Sequence, residues 1–192
     1  MFTNLDKFDA EIFFLLNGWS GVTLFDEFNI FLSSKVLWLL FFVVFAILTL
    51  KRGGISGKKT LLVTIIAVSF TDAFTFKALK ENIKRKRPCI EYKDLAVTPD
   101  GCKSVYGFPS NHAANSAAVA AAVYFMGYKN LGLIFGFIAL LVSLSRVFLG
   151  VHYPGDILVG MLSGALYSFM IVKLSNMTFK YYKDRQSKDL DG

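Results

Sequence analysis

The chain is dominated by apolar stretches long enough, or nearly long enough, to cross a lipid bilayer, and this feature constrains its fold most. A helical crossing takes roughly 20 apolar residues. Hydrophobic residues make up 54% of the 192 residues, more than a soluble domain of this size can bury. We therefore predict an all-α, polytopic transmembrane helix bundle. Five spans are expected, at residues 35–50, 60–79, 112–128, 131–149 and 157–175.

Two shorter amphipathic segments precede the first span. Leu5, Phe8 and Leu15 fall on one face of a helix over residues 5–19, whereas Asp6 and Asp9 lie elsewhere. This segment is too short to cross a bilayer, so we expect it to lie in the membrane interface. If it does cross, the bundle has six spans.

The chain divides into three regions on this reading. Residues 1–34 form N-terminal amphipathic helices, residues 35–176 form the transmembrane bundle, and residues 177–192 form a hydrophilic, frayed cytoplasmic tail.

The net charge of +7 is concentrated between the apolar segments, where it suits lipid headgroups and phosphates better than nucleic acid. Basic residues occur at 51–59, at Lys129 and in the tail, which all lie on one side of a five-span bundle. The positive-inside rule makes that side cytoplasmic. The loops at 80–111 and 146–156 then face the exterior.

Three short blocks of reactive side chains meet on this outer side. The first block runs from Lys80 to Arg87-Pro88, and the second is Pro109-Ser110-Asn111-His112. The third block is Ser145-Arg146, five residues, His152, three residues and Asp156.

This pattern resembles the type 2 phosphatidic acid phosphatase superfamily over residues 35–175. The signature of that family is Lys-x6-Arg-Pro, Pro-Ser-Gly-His and Ser-Arg-x5-His-x3-Asp, and the spacing agrees in all three blocks. One departure is Asn111, which stands where the family usually has glycine. The resemblance implies hydrolysis of a lipid phosphomonoester or diphosphate, with no cofactor and no metal.

The cations of the blocks suit a phosphoryl group, whose oxygens gain charge in the transition state. Lys80, Arg87 and Arg146 would supply this positive charge. The alternative for the basic run at 80–87 is a solvated cluster that touches headgroups. We assign that role to the remaining cations of the run, Lys84, Arg85 and Lys86.

The chain has only two histidines, and both lie beside these cations. We predict that His152 is the nucleophile and that Asp156 holds the other ring nitrogen of its imidazole. His112 would protonate the leaving oxygen and later activate water. Structural histidines, and a helix-dipole role for Asp156, are the alternatives.

Ser110 and Asn111 open the third span, and the N–H groups at a helix start form a natural anion site. Ser110 could instead serve only as a helix cap. A metal site built from His112, His152 and Asp156 is a further alternative, which the neighbouring cations oppose by repulsion.

Undecaprenyl diphosphate is the first choice of substrate, by analogy with the family and because the site is expected to face outward. Phosphatidate, phosphatidylglycerol phosphate and lipid A phosphate are the alternatives, as is transfer of the phosphoryl group to another lipid. A lipid-phosphate binder or transporter is the non-enzymatic alternative. We expect an integral protein of a bacterial inner or plasma membrane, with the site facing the periplasm or exterior; the sequence sets no oligomeric state.

Cys89 and Cys102, the only cysteines, both fall in the outer loop. An oxidising compartment favours a disulfide between them, and closing such a loop contributes about 3 kcal/mol in the chain-entropy model. Two unpaired thiols are the alternative.

Asp72 lies within an apolar span, where a polar contact between helices is the expected role. Gly160 and Gly164 in the fifth span, and the alanine-rich third span, predict close helix packing.

Overall fold

The structure, a computed structural model, describes residues 4–190, apart from the side chains of residues 35, 52, 76 and 188–190, and is built of helices joined by loops. A π-helical turn, Thr75–Lys80, joins α4 to α5. No β-strand occurs within residues 4–190, where a single isolated bridge pairs Lys86 with Tyr106. The α-helices are α1 Asn4–Asn17, α2 Thr23–Leu32, α3 Lys35–Arg52, α4 Gly54–Phe74, α5 Glu81–Ile83, α6 Pro88–Glu91, α7 Asn111–Phe125, α8 Lys129–Phe148 and α9 Pro154–Leu190.

Within the described part of the chain, three helical segments are long and apolar enough to cross a membrane: Gly54–Ile83, Lys129–Phe148 and Pro154–Ser187. A fourth crossing results if α2 and α3, which meet at a bend of 45°, form one span. The predicted all-α membrane bundle is therefore confirmed. The count of five spans stays a prediction, because α7 has only 15 residues.

Helix α7 lies at the centre of the bundle and packs against α4, α8 and α9. Small side chains allow this close approach, as the alanine-rich sequence predicts. A Cβ atom at Gly160 would lie 2.6 Å from the Ser110 carbonyl oxygen, and one at Gly164 would collide with the Ala114 carbonyl. The two glycines thus set the distance between α9 and α7, which carry opposite sides of the site described below.

Helix α1 lies across the end of the bundle where α8 gives way to α9. Phe13 is fully buried and makes an edge-to-face contact with Tyr153. The Asn17 amide donates to the Val97 and Phe148 carbonyl oxygens at 2.8 Å each, which ties the end of α1 to the loop before α7 and to the end of α8. The predicted apolar face of α1 stays exposed, with Leu5 79% accessible. This exposure suits an interfacial helix.

Helix α9 continues to Leu190, whereas the sequence predicts a frayed tail from residue 177. Neither glycine nor proline occurs between residues 165 and 190, so nothing in the backbone stops the helix. Lys59 of α4 supports its exposed part, because its Nζ donates to Asn176 at 2.9 Å and lies 3.9 Å from the Phe179 ring centroid.

The loop between α5 and α7 is fastened at several points. Cys89 and Cys102 are joined by a disulfide, with their Cα atoms 5.9 Å apart. The Arg87 N–H donates to the Val105 carbonyl at 2.9 Å, and the Cys89 N–H donates to the Gly150 carbonyl at 3.1 Å. These bonds hold the first sequence block against the α8–α9 turn.

Candidate active site

The three sequence blocks converge at one end of the bundle. The Ser110 N–H, at the start of α7, donates to the Asp156 carbonyl oxygen at 3.0 Å. One Arg87 terminal nitrogen donates to the Val151 carbonyl at 3.3 Å, which links the first block to the third. The fold therefore assembles residues that lie 46 and 64 positions apart in sequence.

His152 lies in a tight turn between α8 and α9. Gly150 begins the turn with a φ of +72°, a conformation that favours glycine, and the His152 N–H donates to the Arg146 carbonyl at 3.2 Å. Pro154 then starts α9, so Asp156 lies in its first turn. The His152 side chain is consequently fixed by backbone on both sides.

The His152 ring is oriented by Asp156. Its Nδ1 lies 3.3 Å from Asp156 Oδ2, and both side chains are buried. Asp156 Oδ2 also accepts a hydrogen bond from the Tyr153 N–H at 3.0 Å. Since Nδ1 is occupied by the carboxylate, Nε2 is the ring nitrogen available for attack.

Burial lowers the pKa of His152 well below its ordinary value, and the positive charges of Arg87, Arg146 and Lys80 lower it further. The imidazole is therefore neutral at physiological pH and keeps a lone pair on Nε2. A neutral histidine surrounded by cations can accept a phosphoryl group, because the cations offset the charge of the incoming phosphate.

Hydrogen bonds position the cations of the site but leave some of their N–H donors without a partner among the described residues. Arg87 Nε donates to the Tyr106 carbonyl at 3.1 Å, and Lys80 Nζ donates to Asn111 Oδ1 at 2.8 Å. Arg146 Nε is buried and has no hydrogen-bond partner within the described part of the chain. A buried guanidinium donor of this kind suits an anionic ligand.

Ser110 precedes the first residue of α7 but does not cap the helix with its side chain. Its Oγ is buried and, among residues 4–190, meets no hydrogen-bond partner. The cap alternative is therefore not what the structure shows. The hydroxyl and the first N–H groups of α7 together resemble an anion site.

Arg85 corrects one expectation, because it is not a solvated surface cation. Its guanidinium contacts Asp156 Oδ1 at 2.9 Å, Asp9 Oδ2 at 2.8 Å and Asp6 Oδ1 at 3.5 Å. It also lies over the Tyr153 ring, 4.2 Å from the centroid. The fold brings α1 next to the third block, so the arginine has carboxylates on two sides.

Asp9 is a site residue that the sequence analysis did not identify. Besides the ion pair with Arg85, its Oδ1 accepts a hydrogen bond from the Gly155 N–H at 2.7 Å, at the start of α9. A Cβ atom at Gly155 would lie 2.7 Å from Asp9 Oδ2, so the glycine admits the carboxylate. The only feature of the sequence that marks Asp9 is its position outside the apolar face of α1.

Asp72 makes the interhelical polar contacts that its position predicts. Its Oδ1 accepts from the Asn111 amide at 3.1 Å and from the Asn115 amide at 2.7 Å. The Asn111 side chain thereby joins Lys80 to Asp72. A glycine at position 111 could not form this link.

Residues 4–190 contain no group of three or more His, Cys, Asp or Glu side chains placed to hold a metal ion. The carboxylate beside His152 is paired with Arg85, and Arg87, Arg146 and Lys80 add positive charge around this histidine. This donor set fits a phosphate better than a divalent cation.

A side chain at Gly107 should disturb the His152–Asp156 pair. A Cβ atom there would lie 3.1 Å from Asp156 Oδ2 and 3.4 Å from His152 Nδ1. We expect Gly107→Ala to lower kcat about 10-fold or more, because small displacements of reacting groups are costly. Steady-state kinetics of the purified variant give the answer. The matched control is Gly136→Ala, whose Cβ meets no atom within 4 Å; equal effects of both would contradict this expectation.

A family model described as the PAP2 superfamily matches residues 58–180, more than half of the chain. The matched region contains all three sequence blocks and all the cations that face His152.

Three curated relatives have similar sequences. Phosphatidylglycerophosphatase B of Bacillus subtilis is 37% identical over 56% of this chain, but the match spans only 54% of that relative. Lipid A 4'-phosphatase of Bacteroides thetaiotaomicron is 28% identical, covering 89% of this chain and 80% of the relative. Undecaprenyl-diphosphatase of Sulfolobus acidocaldarius is 25% identical, covering 88% and 79% respectively.

A solved structure has a similar fold. It is the crystal structure of a transmembrane PAP2 type phosphatidylglycerolphosphate phosphatase from Bacillus subtilis, with 28% identity and a TM-score of 0.68. The similarity covers 91% of this chain and 88% of that one.

Proposed function

The chain belongs to the PAP2 superfamily, and from this membership we propose that it is a membrane phosphatase that hydrolyses a lipid phosphate through a phosphohistidine at His152. One observation carries the proposal: a buried histidine, oriented by the Asp156 carboxylate, faces Lys80, Arg87 and Arg146. The three relatives are phosphatases of lipid phosphates by name, which supports the same reaction class.

In the first step, His152 Nε2 attacks phosphorus while the bond from phosphorus to the leaving oxygen breaks. The negative charge of the bound phosphate favours the protonated form of His112, which gives its proton to that oxygen, so the lipid alcohol departs neutral. Asp156 stabilises the positive charge on the phosphorylated ring through Nδ1–H. Arg87 and Arg146 stabilise the oxygens of the transferring group.

In the second step, water attacks the phosphohistidine and the phosphorus–nitrogen bond breaks. His112, now neutral, takes a proton from the water and regains its starting form. Inorganic phosphate leaves, and His152 returns to the neutral state that its surroundings favour. Attack by a lipid hydroxyl in place of water would make the protein a phosphotransferase.

The identity of the lipid substrate is a more specific proposal than the reaction class. Undecaprenyl diphosphate, the first choice from the sequence, is matched by one relative, and the two others act on phosphatidylglycerophosphate and lipid A by name. These substrates share a phosphate at the end of a lipid, which is the chemistry that the site suits. Phosphatidate belongs to the same class.

A non-catalytic lipid-phosphate binder is the competing function. Binding needs only the cations and the helix start, whereas a ring that reacts also needs a carboxylate to orient it and to stabilise its positive charge. The buried, oriented imidazole therefore favours the enzyme.

We also propose that the site faces the exterior or periplasm of a bacterial inner or plasma membrane. The opposite end of the bundle carries Lys58, Lys59 and Lys129, which the positive-inside rule places in the cytoplasm. The disulfide between Cys89 and Cys102 lies at the same end of the bundle as the site. Disulfides persist in oxidising compartments, which supports an outward-facing site.

Phosphate release from a panel of lipid phosphates, measured on the purified chain, tests this function. We expect turnover of at least one lipid in the presence of EDTA, because protein cations supply the positive charge. Orthovanadate, which mimics the pentacoordinate transition state, should inhibit. Activity lost in EDTA and restored by a divalent metal would contradict the metal-independent mechanism, and no release from any lipid would contradict the enzyme.

A further inference from the structure

A cavity of about 300 Å³ opens beside the α7 end of the site, between α3, α4 and α7. Its wall is mostly apolar and includes Trp38, Phe42 and Val68. His112, the proposed acid for the leaving oxygen, also lines it. If the proposed function holds, the group released from the phosphate therefore sits in this cavity while His112 protonates it.

Asp72 is the one carboxylate among the described residues that line this cavity. Both of its hydrogen bonds go to Oδ1, from the Asn111 and Asn115 amides. No hydrogen bond or ion pair to its Oδ2 occurs within residues 4–190. The structure thus presents a negatively charged acceptor oxygen in a mostly apolar wall.

A carboxylate in this place treats leaving groups differently. A hydroxyl next to the scissile ester can donate a hydrogen bond to the Asp72 carboxylate. A hydrogen bond to a charged acceptor is stronger than one between neutral groups. A leaving group that is itself a phosphate meets like-charge repulsion from this carboxylate. A diacylglycerol leaving group has no hydroxyl to donate.

We propose that Asp72 selects the leaving group, so that this site takes phosphomonoesters whose alcohol carries a neighbouring hydroxyl, such as glycerol or sugar headgroups, and disfavours diphosphates. The proposal rests on the proposed function and narrows its substrate class. Asn111 contributes by holding the Asp72 carboxylate and Lys80 on opposite ends of one amide. Undecaprenyl diphosphate becomes the less favoured substrate.

The test compares kcat/KM for two single-chain probes, lysophosphatidate and farnesyl diphosphate, with purified full-length protein. The wild type should prefer lysophosphatidate by about 10-fold or more, a difference of about 1.4 kcal/mol or more in transition-state binding. Asp72→Asn, which removes the charge and keeps the shape, should reduce that ratio by about 10-fold. Asp94→Asn makes the same change on the exposed loop and should leave the ratio unaltered.

Three results would separate the claims. A ratio that Asp72→Asn leaves within about two-fold of wild type overturns the selection by Asp72. A wild type that cleaves farnesyl diphosphate at least as well as lysophosphatidate overturns it without any variant. Failure of the wild type to release phosphate from both probes and from the wider lipid panel contradicts the proposed function itself.

Discussion

Replacing His152 with alanine is expected to abolish turnover, with a loss of kcat on the order of 10⁴-fold or more. The covalent step needs a nucleophile at this position, and neither Asp156 nor His112 is free to take its place. Asp156 is engaged by Arg85 and the Tyr153 N–H, and His112 is assigned to the leaving oxygen. The measurement is phosphate release per purified protein, with a lipid on which the wild type is active.

The variant must also be shown to fold. His152 is 1% exposed, so its removal leaves a small cavity in the turn before α9. Thermal unfolding in detergent and binding of a non-hydrolysable lipid phosphonate check the fold and the intact cations. Substantial phosphate release by a folded His152→Ala protein would contradict the mechanism.

The second large effect is expected at Arg85. Arg85→Ala removes the cation that pairs with the fully buried Asp156 side chain at 2.9 Å. Loss of one partner from such a pair leaves an uncompensated buried charge, which costs about 3 kcal/mol of unfolding free energy. It also frees the Asp156 carboxylate to move, so kcat should fall on the order of 10²-fold.

Lys84→Ala and Lys86→Ala are the matched controls, because these neighbours carry the same charge on exposed side chains. Their effect on stability should stay within about 0.5 kcal/mol. Arg85→Lys keeps the charge without the planar fork and should recover part of the activity. If Arg85→Ala proves no more harmful than either lysine variant, the positioning role of Arg85 is wrong.

The sequence predicts the reactive core of the site because its signals are local. His152 and Asp156 are four residues apart across a helix start, so their contact follows from the spacing alone. Ser110 likewise stands directly before α7. The three blocks stand at the ends of apolar segments, and this position alone predicts that they meet at one end of the bundle. How the helices pack need not be known.

The role of Arg85 could not be predicted from the sequence. It stands in the same basic run as Lys84 and Lys86, and nothing local distinguishes the three side chains. Its partners lie 71 and 76 positions away, in α9 and α1, and only the packing of α1 over the site brings them together. Asp9 was missed for the same reason, since an acid on an amphipathic helix suggests a solvated face.

The number of spans illustrates a different limit. Length and hydropathy identify helices that face lipid. Helix α7 packs against other helices instead, so it can be shorter and less apolar than a helix that faces lipid. Its alanines reflect close packing instead of lipid contact. The side-chain link from Lys80 through Asn111 to Asp72 also depends on how α4 and α7 approach each other.

The central claim is that His152 carries the phosphoryl group, and trapping that intermediate tests it most directly. Protein mixed with a lipid phosphate is quenched rapidly in alkali, where phosphohistidine survives, and its peptides are analysed by mass spectrometry. With an aryl phosphate, whose leaving oxygen needs no proton, His112→Ala should slow only the attack of water and let the intermediate accumulate. We predict one phosphoryl group on the peptide that contains His152. A phosphoryl group on another residue, or steady turnover with no protein-bound phosphate, would contradict the account.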